Sequence, residues 1–431
     1  MARVAIVGAG SLVFTRKVVS DLLQQEPTAD AGISLVDIDG GRLAAAKAAV
    51  ELVAARARRK VDVAATTDVK AGVRGCDYVV NTIQVGGKEA TTLDFDIPEK
   101  FGVRQTIADT HGIGAISRAL RTIPPALGIA RAVADEAPGA WLLNYTNPMA
   151  MVVMALSRAG HERAVGLCHG TEHTVATIAG YLGVEDPSSL SWQAAGINHM
   201  TWILSLSLGG RDLYPELRAY AAAADLQVHD DAVRLELLRR FGYFVSESSV
   251  HSAEYFPWFL RPGKKPPHGV RVREYLYRLD DLERDFAAER EAAARGEVAG
   301  PLEPRSEEYA PRVIEAIEAG STYRFMGNVV NSRAMVSNLP DDSCVEVPCF
   351  VDAREIVPGA VGRLPEQCAA LNRTAINVQL LTVAGVLEHR KELVRQAALL
   401  DPLVSTQLST DETVALVDEL IEAHGNPSDL H

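Results

Sequence analysis

Residues 3–11, RVAIVGAGS, decide the fold: a short apolar run enters glycine at Gly8 and again at Gly10, and Ser11 opens a segment of helical composition. Glycine at both places lets the backbone turn tightly and approach a pyrophosphate, while the next helix offers free N–H donors and the positive end of its dipole. The third glycine of the usual fingerprint would fall at Val13, so the match is incomplete. It is strengthened by Asp37, at the end of the next apolar run, ISLVDID (33–39). A carboxylate there accepts from a ribose 2′-hydroxyl and repels a 2′-phosphate, which favours NAD over NADP. A glycine turn and an acidic strand end in a protein without nucleotide is the alternative these residues leave open.

Outward from this stretch, DYVVNTI (77–83), AWLLNYTNP (140–148) and AVGLCHG (164–170) are further apolar runs, separated by helix-like segments such as 42–60 and 116–136. Strands alternating with helices predict an α/β protein with a doubly wound, Rossmann-like parallel sheet. The pattern changes near Trp192, where an alternating stretch HMTWILSLSLGG (199–210) begins, followed by charged helical segments and a long helical run from about Glu366 to Leu399. We therefore expect an NAD-binding domain over 1–192 and an α+β domain over 193–431 that carries the substrate and metal site and the oligomer contacts. Residues 280–309, charged and Ala-rich and then Pro- and Gly-containing, read as a solvated helix followed by a surface loop.

Composition agrees. With 431 residues, 47% of them hydrophobic, the chain can fill two cores, since single cores stop growing at about 250–300 residues. The formal charge of −13, with no long block of one sign, argues against nucleic acid as a partner. The first residues enter a strand pattern at once, with no apolar segment long enough for a signal or a membrane span, which places the chain in the cytoplasm and away from membranes. Cys76, Cys168, Cys344, Cys349 and Cys368 are an odd, scattered set, expected as thiols.

Chemistry concentrates in GLCHGTEHT (166–174) and AAGINHMTW (194–202). The Cys168 thiolate and a neutral His199 imidazole are good ligands for a borderline divalent cation and would leave positions open for substrate oxygens. Taken alone, a buried small hydrophobe and a hydrogen-bonded core histidine explain the pair equally simply, and spacing does not decide. His173 reads as a surface or capping residue as readily as a functional one.

GAGS with LVDID, QTIADTHGIGAISRALRTIP, LLNYTNPMAM, GLCHG, AAGINHMTW, GYFVSESSVHSAEYFPWF and NLPDDSCVEVPCFVD run in order from residue 4 to about 352, and CAALNRTAINVQLLTVAGV follows. Together these blocks resemble glycoside hydrolase family 4, nearest to its α-galactosidase branch. The resemblance implies an α-glycosidase dependent on NAD and on Mn²⁺ or another divalent metal. In that family NAD⁺ oxidises the sugar at C3, a base removes the acidified C2 proton, the aglycone leaves, water adds, and C3 is reduced again. It implies Cys168 and His199 as metal ligands, His169 as an acid or leaving-group residue, and Asn147 as a substrate-binding residue; Asn198 would touch a sugar hydroxyl or cap a strand, and Asp109 would bind sugar hydroxyls or form a structural ion pair. Gly8, Gly10, Ser11 and Asp37 would hold NAD.

The resemblance implies a base in GYFVSESSVHSAEYFPWF (242–259), at the position of Ser248 or Ser249, neither a base; His251 and Tyr255 are the candidates. Arg121 reads as a substrate-site residue or as half of a structural ion pair. His169 favours an unphosphorylated glycoside, because branches acting on 6-phosphorylated sugars carry Asn or Asp there. Gly170 stands where the α-galactosidase branch has Ser, which leaves room for an α-glucuronide or α-galacturonide. An α-galactoside is the first expectation and a uronide the second. A net NAD-dependent dehydrogenase, related to lactate and malate dehydrogenases, is the competing class. The family also implies a homodimer or homotetramer.

Overall fold

The structure, a computed structural model, describes residues 2–297, 304–352 and 355–431. The strands among them are β1 (Arg3–Val7), β2 (Gly32–Val36), β3 (Val63–Thr66), β4 (Tyr78–Asn81), β5 (Trp141–Asn144), β6 (Ala164–Leu167), β7 (Leu190–Ile197), β8 (Met200–Leu208), β9 (Arg211–Asp212), β10 (Phe244–Val245), β11 (Tyr323–Val330), β12 (Cys344–Asp352) and β13 (Glu355–Pro358). All belong to one sheet. Its first half runs β3-β2-β1-β4-β5-β6 with every pairing parallel. This is the doubly wound order expected from the sequence, and its topological switch lies between β1 and β4. The central strands read as unbroken apolar runs because helices cover both faces: β4 and β5 are buried at every position.

The second half continues the same sheet with antiparallel strands. β11 pairs with β6, placing Asn328 opposite Gly166, and then come β12, β7, β8 and β10. The boundary expected after residue 192 falls within β7, and the sheet runs across it.

The helix Gly40–Arg56 starts where Asp39 accepts from the backbone N–H groups of Gly41 and Arg42. The helix Gly112–Glu136 runs through Pro124 and Pro125 and packs against the last helices of the chain. The long run expected from Glu366 to Leu399 is instead two helices, Glu366–Leu387 and Lys391–Leu399. His389 turns the chain at φ +57, and Gly385 lets them pack closely, since a Cβ there would lie 2.8 Å from Val394 Cγ2. The solvated helix is present at Glu274–Ala294, where Leu279 is the one buried residue. Part of the expected loop behind it, 298–303, lies outside the described residues. Among the described residues no helix is long and apolar enough to cross a membrane.

Candidate functional site

The sequence-predicted site residues that follow strands all lie at the carboxyl edge of the parallel half: Gly8 after β1, Asp37 after β2, Asn147 after β5 and Cys168 after β6. Ligands of doubly wound sheets gather at that edge.

The glycine turn is built for close approach. Gly8 has φ +91, and a Cβ on it would sit 2.8 Å from both the carbonyl carbon and oxygen of Thr82. Its N–H and that of Ala9 donate to Val36 O at 2.9 and 3.0 Å, tying the exits of β1 and β2 together. Asp37 Oδ2 accepts from Gly10 N–H at 2.7 Å, and a Cβ on Gly10 would lie 2.7 Å from that same oxygen. The other Asp37 oxygen accepts from Asp39 N–H at 2.9 Å. Ser11 is exposed at the start of the helix Leu12–Leu23 and spends no side-chain bond on capping it. The first N–H groups of that helix are left without a side-chain acceptor. Val13 lies inside the helix, so the position of the missing third glycine is helical backbone. The cradle fits a dinucleotide.

Ligand atoms of Asp109, His199 and His251 lie within 4.8 Å of one another, and all three residues are buried. Among the described residues this is the one cluster of three potential ligands. Cys168 does not join it within that span. The thiol stands beside Gly170 instead, where a Cβ would be 3.4 Å from its Sγ and 2.9 Å from Glu247 Oε1. Glycine at 170, where the resembling branch carries Ser, therefore makes room for the Glu247 carboxylate.

Each cluster member is delivered by a strained or anchored segment. His199 is the second residue of a two-residue turn between β7 and β8, with Ile197 opposite Met200, and its φ is +60. Ala108 and Glu247 also have positive φ, at +58 and +77. Such backbone costs on the order of 1–2 kcal/mol per non-glycine residue, and its concentration in one place marks a functional constraint. Ahead of Asp109, the buried Glu254 carboxylate accepts three backbone N–H groups, those of Thr106 at 2.6 Å, Ile107 at 3.0 Å and Ala108 at 2.9 Å. Burial pushes Glu254 up to about 7, against the pull of these bonds.

Both Asp109 oxygens are held, one by the Thr110 hydroxyl at 2.7 Å and one by Asn147 Nδ2 at 2.9 Å. Burial opposes its ionisation, but the Arg118 guanidinium, with His199, His251 and Thr110, brings the carboxyl below its ordinary value. Because the single Thr110 proton goes to Asp109, the hydroxyl accepts from His199 Nδ1, 3.0 Å away. His199 Nε2 is left unprotonated, the form that ligates metal. The Tyr255 hydroxyl is 3.3 Å from the same Nδ1.

His251 Nδ1 is 3.0 Å from Glu247 Oε2 and 2.9 Å from Ser248 Oγ, so this ring too is oriented from one side. Burial takes His251 down to about 4 despite Glu247. Glu247 itself, although buried, is brought to about 2 by His251, His199 and Arg234 around it. Burial, then Glu346 and Glu247, raise the Cys168 thiol well above its ordinary value, so it keeps its proton until a cation replaces it. Asn198 is fully buried, and its amide reaches toward Cys168 and Glu346 without closing a bond of normal geometry to either. Asn147 Oδ1 is likewise buried without a partner. A nitrogen and carboxylate donor set beside orphaned amides, with the Cys168 thiol outside the 4.8 Å span, fits a divalent cation with substrate oxygens.

His169 is partly exposed at the start of the helix Gly170–Tyr181, its Nδ1 3.7 Å from Glu308 Oε2, and Glu308 raises its pKa. His173, one turn on, is exposed. Arg121 resolves as structural: Nη1 is 3.0 Å from Asp94 Oδ1 in a buried pair that His424 also joins at 3.1 Å. Thr110, His111, Glu247 and Glu254 had no role in the sequence reading. The adjacency Asp109-Thr110-His111 was the one sequence signal near Thr110 and His111, and Glu247 and Glu254 had none.

The family model described as family 4 glycosyl hydrolase matches residues 3–184, and the one described as the family 4 glycosyl hydrolase C-terminal domain matches residues 194–404. The chain is 40% identical to an α-galactosidase of Bacillus subtilis (strain 168) over 99% of each chain. It is 34% identical to an α-galactosidase of Rhizobium meliloti (strain 1021), over 98% of this chain and 88% of that one. Its fold superposes on a crystal structure of a 6-phospho-α-glucosidase from gut microorganisms, in complex with NAD and Mn²⁺, with a TM-score of 0.85 at 23% identity and complete coverage of both chains.

Proposed function

The chain belongs to glycosyl hydrolase family 4, and from that premise we propose that it hydrolyses unphosphorylated α-galactosides by oxidation at C3, elimination, water addition and re-reduction. The observation that carries the reading is the convergence at one sheet edge of a dinucleotide cradle, Gly8 to Asp37, and a buried donor cluster around His199. When bound, NAD supplies a reversible hydride acceptor and a divalent cation such as Mn²⁺ polarises the sugar oxygens.

His199 would hold the cation through Nε2, with Cys168 as the thiolate donor and Asp109 and His251 as the further donors within reach. Asn147 and Asn198, each with buried amide atoms unspent, would bind sugar hydroxyls. Tyr255, its hydroxyl against His199, would take the C2 proton only as the phenolate, which burial and the nearby Glu254, Asp109 and Glu247 oppose; His251 is the second candidate, in place of a ligand role. His169, its pKa raised by Glu308, would give a proton to the leaving oxygen at the site mouth.

The charged groups that raise His169 are the carboxylates of Glu308, Glu247 and Glu307, a setting that disfavours a sugar carboxylate. This supports the galactoside over the uronide. We further propose that the enzyme works as a homo-oligomer in the cytoplasm, where the reducing poise keeps Cys168 a thiol.

The test is p-nitrophenol release from α-galactoside, α-glucuronide and α-galacturonide substrates, with and without NAD⁺, Mn²⁺ and a thiol reductant. Release from the galactoside that needs both additions is expected. Preference for a uronide would overturn the substrate, and steady accumulation of NADH without release would favour a dehydrogenase.

A further inference from the structure

Three consecutive residues grip the Asn198–His199 turn, and only two of them touch the cluster itself. Asp109 belongs to it and the Thr110 hydroxyl meets the His199 ring. His111 instead meets backbone: its Nε2 is 2.9 Å from Asn198 O. A carbonyl oxygen carries no proton, so Nε2–H donates and Nδ1 is left as an acceptor. That acceptor faces Gln379 Nε2 at 3.3 Å. Gln379 is buried on the helix Glu366–Leu387, and the Tyr255 ring packs edge-on against His111 with centroids 4.5 Å apart.

The bonded carbonyl belongs to the peptide that joins Asn198 to His199, and the orientation of that peptide plane sets φ of His199. At +60 that angle is one most side chains avoid, and a flip of this peptide would relieve it while tilting the imidazole away from its present alignment in the cluster. Beyond the turn the Met200–Thr201 peptide is held separately, since Met200 O accepts from Asn372 Nδ2 at 2.8 Å. The bond from His111 acts on the Asn198–His199 peptide itself, while the Thr110 hydroxyl holds only the ring.

We propose that His111 is a positioning residue whose Nε2–H bond to Asn198 O holds His199 in its metal-binding orientation, with Gln379 fixing the tautomer. The proposal rests on the reading of His199 as a metal ligand. Outer partners of metal ligands change affinity by about 10–100-fold when removed.

The experiment titrates Mn²⁺ alone, following the free-ion EPR signal, into wild type and the His111→Phe, His111→Gln, Gln379→Leu and His199→Ala variants, with NAD⁺ affinity measured on each. His111→Phe is expected to weaken Mn²⁺ binding about tenfold or more and to leave NAD⁺ affinity unchanged. His111→Gln, whose amide N–H can reach the same carbonyl, should restore binding to within about threefold of wild type, the fold-change being small against the loss. Gln379→Leu should give an intermediate loss, and it carries the test if His111→Phe does not fold. Wild-type Mn²⁺ affinity in His111→Phe or in Gln379→Leu overturns the proposal, as does His111→Gln binding as weakly as a folded His111→Phe. Wild-type affinity in His199→Ala would instead overturn the metal-ligand reading beneath it.

Discussion

Replacing Gly8 by Ala tests the dinucleotide cradle at a point where the structure sets the magnitude. The new methyl would lie 2.8 Å from the carbonyl carbon and oxygen of Thr82 and 2.9 Å from Ile83 N, all backbone atoms that no rotamer change can move. The exits of β1 and β4 would have to part by several tenths of an ångström, against the bond from Thr82 N–H to Val7 O at 2.8 Å and the Thr82 hydroxyl bond to Gly8 O at 3.1 Å. Holding alanine at φ +91 costs about 1–2 kcal/mol, and the overpacking adds about 1–3 kcal/mol. The expected loss is therefore about 2–5 kcal/mol of stability. It should appear in urea unfolding as a lower midpoint at unchanged m. NAD⁺ affinity should fall about tenfold or more, equivalent to about 1.4 kcal/mol of lost binding, because the displaced loop is the one that would meet the pyrophosphate. A Gly8→Ala protein with wild-type midpoint and wild-type NAD⁺ affinity would refute the reasoning.

Two other expectations follow from burial. Cys168 is protonated before a cation arrives, so the apparent Mn²⁺ affinity should rise with pH, by up to about tenfold per unit, and Cys168→Ser should flatten the slope; a flat wild-type profile from pH 6 to 8 would deny the thiolate a role. Asp401 is buried and pushed up to about 6, so its ionisation in the folded state works against stability, an effect absent below the unfolded pKa of about 3.9 and fully felt above 6. Asp401→Asn keeps an oxygen for the Val404 N–H that Asp401 now binds at 2.8 Å, and should raise stability by about 1–2 kcal/mol at pH 8 but not at pH 4. Urea midpoints at the two pH values check this, and equal effects at both would count against it.

Five of the six strands of the parallel half were legible because largely buried strands leave continuous apolar runs, and four of them lead into a residue with a visible purpose, Gly8, Asp37, Asn147 and Cys168; the edge strand β3, exposed at its centre, leaves no such run. The antiparallel half was harder. β11 and β12 are fixed by pairing with β6 and β7, strands more than a hundred residues away, and no hairpin turn signal announces them. The break at His389 was invisible because neither glycine nor proline marks it; Gly385, one turn earlier, serves close packing. In the site, Cys168 and His199 could be named from ligand chemistry and family likeness. Glu254, Glu247 and His111 could not, because what they hold is backbone or a side chain far along the chain, and a contact such as Glu254 to Thr106–Ala108 has no sequence pattern. The glycine fingerprint, though incomplete, falls where the backbone packs most tightly, at Gly8 and Gly10.

The central claim, that the glycosidic bond breaks by elimination after oxidation at C3, is tested most directly by hydrolysing p-nitrophenyl α-galactoside in D₂O with NAD⁺ and Mn²⁺ and examining the released sugar by NMR. The account predicts deuterium at C2 of the galactose, with no net NADH. Galactose released with only hydrogen at C2, at a rate indifferent to NAD⁺, would contradict it.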